Sequence, residues 1–189
     1  MLQRSAEIVG GGIAGLTLAA GLGARGWKVR VHERAPTLRF EGYSIALSLR
    51  AQQVLSAIGV LEQLVAGRPA LRRREARDRN GRLLGFLEWP HTLYFIERRV
   101  LLEHLMQVVR DAGVTVETGS EVAAVDPEGA LTLASGRRIE ADLIVGADGA
   151  YSRVRGQMDP ASVVHSLPYG AARALAPRAG FEDLLGDRT

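Results

Sequence analysis

The chain has 189 residues, 47% of them apolar and 24% charged, with a formal net charge of +3 and no cysteine. That length builds one domain, or one and a fraction, around a core that needs no disulfides, and the apolar share excludes a disordered tail. The missing thiols exclude a disulfide framework, a thiolate metal site and a cysteine nucleophile.

Taken in order, Ile8 to Leu22 is the first apolar stretch. It is interrupted by Gly10, Gly11, Gly12, Gly15 and Gly21 and lacks a basic leader. Neither a signal peptide nor a membrane span is expected from it, and the expected location is the cytoplasm, with no membrane partner. Within it, Glu7 to Val9 predicts a strand and Ile13 to Ala24 a helix stopped by Gly26. Lys28 to Glu33 alternates as a second strand, so the opening reads as a parallel strand–helix–strand unit. Ala51 to Ile58 and Leu61 to Ala66 predict short helices around Gly59.

Leu71 to Arg79 and Arg82 to Leu87 alternate on either side of Asn80-Gly81, the signature of an antiparallel hairpin. Its arginines are interrupted by Glu75 and Asp78 and carry no interleaved aromatics, which argues against a nucleic-acid partner. Arg98 to Asp111 predicts a helix with Leu101, Leu105, Val108 and Val109 on one face and Gly113 beyond its end. Short strands follow at Val114 to Val116, Val122 to Val125, Ala130 to Leu133 and Arg138 to Glu140. Leu143 to Val145 reads as a buried strand ending in Gly146-Ala147-Asp148-Gly149. His32, His91, His104 and His165 are scattered without metal-ligand spacing, and no Gly-x-Ser-x-Gly elbow marks a hydrolase.

The chemistry concentrates at Gly10-x-Gly12-x-x-Gly15, between a strand and a helix. In that context the first glycine permits a tight turn, the second lets a diphosphate approach the main chain, and the third lets helix and strand pack closely. The same string recurs at Gly21-x-Gly23-x-x-Gly26, but there it follows a helix and cannot aim amides at a phosphate. Glu33 lies 18 residues past Gly15, at the tip of the second strand. A carboxylate there accepts from both ribose hydroxyls and repels a 2′-phosphate, favouring FAD or NAD over NADP as the tightly held dinucleotide.

Ile8 to Leu16, with Val31-His32-Glu33-Arg34, resembles the start of the FAD-dependent aromatic hydroxylases, the para-hydroxybenzoate hydroxylase-like flavoprotein monooxygenases. Ile96-x-Arg98-x-x-Leu101-x-x-x-Leu105 is similar to that family's arginine-led helix. Asp142 to Gly149, followed by Ser152, Val154 and Arg155, is similar to its aspartate–glycine motif. The resemblance implies a Rossmann-like α/β FAD-binding domain with a parallel sheet over residues 1–68 and 97–160. Partial antiparallel segments of a substrate domain would occupy 69–96 and 161–189.

The implied cofactor ligands are Gly10, Gly12, Ile13, Ala14, Gly15, Glu33, Arg34, Arg98, Val122, Asp148 and Gly149. Arg98 would face the diphosphate, with Arg99 as a competitor and an ion pair to Glu97 or Glu103 as the purely structural alternative. Val122 would offer its backbone to the adenine. Asp148 would organise the flavin region, and it is equally placed to cap a helix over Tyr151 to Met158. No residue is assigned to catalysis.

The implied activity is NAD(P)H- and O2-dependent hydroxylation of an aromatic or similar small molecule. Halogenases, epoxidases and geranylgeranyl reductases share this first domain, and a non-catalytic nucleotide-binding module is the alternative. In that family a Gly-Asp motif follows a large sheet. Val163 to Arg178 resembles the first strand of that sheet, while Gly186-Asp187 lacks the sequence that would make it the motif. The expectation is an N-terminal part of such an enzyme that binds FAD weakly and does not turn over alone. Its open sheet edges would favour self-association or a partner chain.

Overall fold

The computed structural model describes residues 3–168. In chain order the elements begin β1 (Ser5–Val9), α1 (Ile13–Gly23), β2 (Lys28–Glu33), β3 (Ser44–Leu47), α2 (Leu49–Ala57) and α3 (Leu61–Val65). Next come β4 (Leu71–Arg77), β5 (Leu83–Glu97), α4 (Arg98–Asp111), β6 (Thr115–Thr118) and β7 (Val122–Asp126). The last are β8 (Ala130–Leu133), β9 (Arg138–Glu140), β10 (Leu143–Gly146) and α5 (Arg153–Met158). The described residues form two compact units, 3–41 with 99–168, and Gly42–Arg98. Among them no helix is long and apolar enough to cross a membrane.

The first unit is built on a parallel sheet in the order β10-β1-β2-β6. Alternation assigns its faces. Ala6, Ile8, Val29 and Val31 are buried on one side, where α1 lies across β1 and β2 with Leu16, Ala19 and Ala20 fully buried. On the other face Val9 and Ile144 join Val122, Leu131 and Leu133 of a three-stranded antiparallel sheet, β7-β8-β9. Glu7 and His32 share that second face and are also buried, an unusual content for a sheet centre. The strand predicted as buried, β10, is only half-buried, because it is the edge of the parallel sheet among the described residues. α4 buries Leu101, Leu102, Leu105 and Val109; Leu102 takes the place expected for Val108, which is half-exposed.

In the second unit β5 is the middle strand, between β3 and β4, and pairs antiparallel with both. The hairpin forms where Asn80-Gly81 predicts it, and Asp78 closes it. The Asp78 carboxylate accepts from the amides of Asn80 at 2.8 Å and Arg82 at 3.0 Å. Two features lie outside the sequence reading. β3 was not expected, and β5 runs on from Leu87 through Pro90 to Glu97. Pro90 is tolerated because β4 breaks register there: Arg73 faces Glu88 and Leu71 faces Leu93, so no ladder bond needs the missing N–H.

Residues 163–167 are not in a strand, so the sheet strand expected from Val163 does not begin there. The remainder of that expectation, to Arg178, and Gly186-Asp187 lie outside the described residues.

Candidate functional site

β1, β2 and β10 run parallel, so their carboxyl ends share one edge, where ligands of open α/β sheets gather. Three loops leave that edge, and backbone hydrogen bonds stitch them together. Gly10 N–H donates to His32 O at 2.8 Å and Ala147 N–H to Val9 O at 2.7 Å.

The turn at Gly10 depends on glycine. Its φ is +111°, and a Cβ there would run into the Ala147 carbonyl oxygen and approach Asp148 Cα to 3.0 Å. Gly15 packs so tightly that a Cβ would strike the Gly10 carbonyl oxygen, and it would come within 3.4 Å of Ile8 Cγ2. Gly12 differs from both, since nothing lies within 4 Å of the position its Cβ would take. It is the N-cap of α1, and no side chain caps the helix, so the first-turn amides, including those of Ile13 and Ala14, are left for another acceptor. A closed turn before an open, uncapped helix start is the shape a diphosphate requires.

Glu33 ends β2 half-buried against this loop. Its Oε2 accepts from Gly11 N–H at 2.9 Å and its Oε1 from Ala35 N–H at 2.9 Å. Each carboxylate oxygen thus holds one backbone amide and keeps a second lone pair for a ribose hydroxyl. Gly11 is the residue the sequence reading passed over. It is buried, and a Cβ on it would sit 2.7 Å from Leu38 Cδ2 and 3.2 Å from Glu33 Oε2. The middle of the Gly10-Gly11-Gly12 run was the available signal. Arg34, next in line, is exposed.

Asp148 follows β10 on the third loop. Partial burial alone would raise its carboxyl, but the Ser152 hydroxyl at 2.5 Å and the amides of Val154 and Arg153, at 3.3 and 2.7 Å, outweigh it. The carboxyl is therefore held below the usual carboxylate range. The helix expected over Tyr151 to Met158 starts later, at Arg153, and its N-cap is Ser152, whose Oγ accepts from Arg155 N–H at 2.9 Å. Asp148 stands outside the cap and binds the first-turn amides from the β10 side; no capping-box spacing announced this division of labour. Gly149 is exposed beside it.

Val122 opens β7, buried, with its carbonyl accepting from the Arg153 guanidinium at 3.2 Å. Arg98 belongs to the second unit, where its amide donates to Tyr43 O at 3.0 Å. A Cβ on Gly42 would lie 2.7 Å from Arg98 Cδ, so that glycine lets the arginine stem pass close to the backbone. Its neighbour Arg99 is exposed and pairs with Glu103 at 2.7 Å, one helical turn on. The structure therefore gathers the glycine loop, Glu33 and Asp148 in one unit and describes Arg98 in the other.

Residues 4–177 match the family model of the FAD binding domain. The chain belongs to the FAD-binding domain family. The resemblance read from the motifs is thereby borne out, as is the parallel α/β architecture.

The chain is 34% identical over 193 residues to the Rhodococcus erythropolis protein named "Probable 2-heptyl-3-hydroxy-4(1H)-quinolone synthase AqdB2", covering 100% of this chain and 50% of that one. It is 34% identical over 191 residues to a 3-amino-4-hydroxybenzoate 2-monooxygenase of Streptomyces cremeus, covering 90% of this chain and 45% of that one. Among solved structures, a tetrameric form of 2-methyl-3-hydroxypyridine-5-carboxylic acid oxygenase superposes with a TM-score of 0.78 at 36% identity, over 84% of this chain and 43% of that chain. This FAD-binding domain thus spans about half the length of the curated relatives it matches.

Proposed function

We propose that the chain forms the flavin-holding part of an NAD(P)H- and O2-dependent monooxygenase that acts on a small aromatic ring. The observation that carries this is the pairing of an open, uncapped helix start at Gly12 with the Glu33 carboxylate fixed by Gly11 and Ala35. The amides of Gly12, Ile13, Ala14 and Gly15 would take the diphosphate, while Gly10 keeps the turn tight enough to aim them. Glu33 would bind the adenosine ribose, with Arg34 and Val122 towards the adenine. Asp148 and Gly149 would border the flavin, the aspartate staying ionised because Ser152 and the α5 amides hold it so. Arg98 is included on its helix-start position and the family resemblance.

What such a group supplies when bound is two-electron exchange with a nicotinamide and reaction with O2. The protein's own work is to bind it, orient it and keep water from it. Relatives named for a quinolone, a hydroxybenzoate and a hydroxypyridine support an aromatic or heteroaromatic ring as the substrate class. A cytoplasmic location fits the supply of reduced nicotinamide.

Titration of the 189-residue chain with FAD, followed by flavin fluorescence and by amide spectra, tests the reading. Saturable binding that shifts the Gly12 and Gly15 amides is expected. A colourless protein after soaking in excess FAD, with those amides unmoved, overturns it.

A further inference from the structure

The buried polar pair on the parallel sheet has no place in the site as described so far. His32 is 1% exposed and Glu7 5% exposed, and their side chains meet at 2.6 Å between Nε2 and Oε2. The other ring nitrogen, Nδ1, lies 2.8 Å from Ser120 Oγ. One proton is shared between Nε2 and Glu7 and another between Nδ1 and the Ser120 hydroxyl, and a Glu117 oxygen lies 3.8 Å from Nδ1. Arg30 and Glu117 complete the surroundings. Arg30 Nε lies 3.9 Å from Glu7 and 3.4 Å from Glu117, and Arg137 reaches Glu117 at 3.1 Å. Apolar side chains in place of a buried polar pair are often as stable or more so, so stability alone does not account for Glu7 and His32 at the sheet centre.

What the network fixes is the backbone around Glu33. Ser120 N–H donates to Glu33 O at 2.9 Å, and Gly119 N–H donates to Ala35 O at 2.8 Å. The His32 carbonyl, at the base of the same side chain, accepts from Gly10 N–H. The imidazole therefore ties β1 to the β6–β7 loop, whose Ser120 and Gly119 amides hold the main-chain carbonyls of Glu33 and Ala35.

We propose that His32, held between Glu7 and Ser120, is a positioning residue for the Glu33 carboxylate and sets the affinity for the adenosine half of the flavin dinucleotide. The proposal rests on the FAD reading above. Its logic is that of ligands whose partners orient them from behind: a carboxylate free to turn away binds a ribose more weakly.

The test compares FAD with FMN, which lacks the adenosine, by fluorescence titration of the 189-residue chain. The variants are Ser120→Ala, His32→Leu and His32→Gln, each alone and combined with Glu33→Gln. Ser120→Ala leaves the buried ring in place, so it reports even if His32→Leu does not fold. Ser120→Ala and His32→Leu are expected to weaken FAD binding by about tenfold and to leave FMN unchanged, and His32→Gln is expected to retain most of the affinity. In the Glu33→Gln background the loss should vanish, because the clamp then has nothing to position.

Equal weakening of FAD and FMN, or a loss that persists undiminished in the Glu33→Gln background, assigns the network to stability alone and overturns the proposal. Wild-type FAD binding that Glu33→Gln weakens and Ser120→Ala does not overturns it while sparing the parent reading. Should the wild-type chain bind no FAD, the parent reading falls. The amides of Gly11 and Ala35 then decide: displaced by Ser120→Ala they support the clamp, and unmoved they overturn it.

Discussion

Two glycine strings of identical spacing sit at opposite ends of one helix, and they do different work. At the N-terminal string, Gly10 makes the turn and Gly15 admits the Gly10 carbonyl against the helix, while Gly12 faces open space. At the C-terminal string, Gly23 packs beside Ala112 and Val114, each 2.9 Å from where its Cβ would be. Gly26, with φ at +78°, ends the helix: its N–H donates to Gly23 O at 2.9 Å and Trp27 N–H to Leu22 O at 3.2 Å, the Schellman pairing. Spacing alone does not make a phosphate loop. A parallel strand before it and an uncapped helix after it do.

The contrast breaks most visibly at the glycine of each string that packs against its surroundings, Gly15 and Gly23. Gly15→Ala forces a methyl into the Gly10 carbonyl, a backbone group that cannot turn aside, and the expected cost is roughly 3 kcal/mol or more. The methyl of Gly23→Ala would sit 2.9 Å from Ala112 Cβ and Val114 Cγ2 and 3.3 Å from the Ala112 carbonyl oxygen; the Val114 methyl can turn aside, Ala112 moves only with its backbone, and the gain in helix propensity offsets part of that cost. Thermal melts should place Gly15→Ala far below the wild type and Gly23→Ala between the two. Similar melting temperatures for the two would mean the strings are equivalent after all.

Gly12→Ala sharpens the comparison by separating stability from binding. Its φ of −83° suits any residue and its Cβ would touch no protein atom, so the melt should move by about 1 kcal/mol at most. FAD affinity should nevertheless fall by about tenfold or more, because the methyl occupies the approach to the first-turn amides. An unaltered affinity would move the diphosphate away from this loop.

Much of this was legible in the sequence, for a reason the strings themselves illustrate. β1, α1, β2 and α4 carry their signals locally, in alternation, helical spacing and terminal glycines, and α4 spans Arg98–Asp111 as its pattern predicts. What stayed hidden depends on distant partners. β3 is four residues long and becomes a strand by pairing with the far end of β5, Ser44 opposite Glu97. The extension of β5 past Leu87 through Pro90 gave no local signal, because the register break in β4 that accommodates the proline is about 20 residues away in the chain. The Glu7–His32 contact joins residues 25 apart, and scattered histidines give no spacing from which to read it. Parity was the one available clue: in parallel register both point to the same face.

Asp148 offers a smaller effect, tied to pH. Its folded carboxyl is held below the ordinary value, so its contribution to stability is present above about pH 4 and is lost as the pH falls through the depressed value. Asp148→Ala should therefore cost about 1 kcal/mol at neutral pH, the order of a lost helix-terminus contact. Urea melts of the two proteins should converge as the pH drops below 4. A gap that stays constant into strong acid would show that packing, rather than the ionised carboxylate, holds the start of α5.

The smallest effect belongs to Gly26, where strain is the whole of the argument. No atom lies within 4 Å of its would-be Cβ, so a substitution there meets no neighbour and pays only for the left-handed backbone. Gly26→Ala should cost about 1 kcal/mol, and Gly26→Asn less, because asparagine tolerates that conformation better. Neither should alter FAD affinity, since the residue closes the end of α1 away from the uncapped turn. If Gly26→Ala weakened FAD as Gly12→Ala is expected to, the two ends of the helix would be coupled. The division of labour between the two strings would then have to be given up.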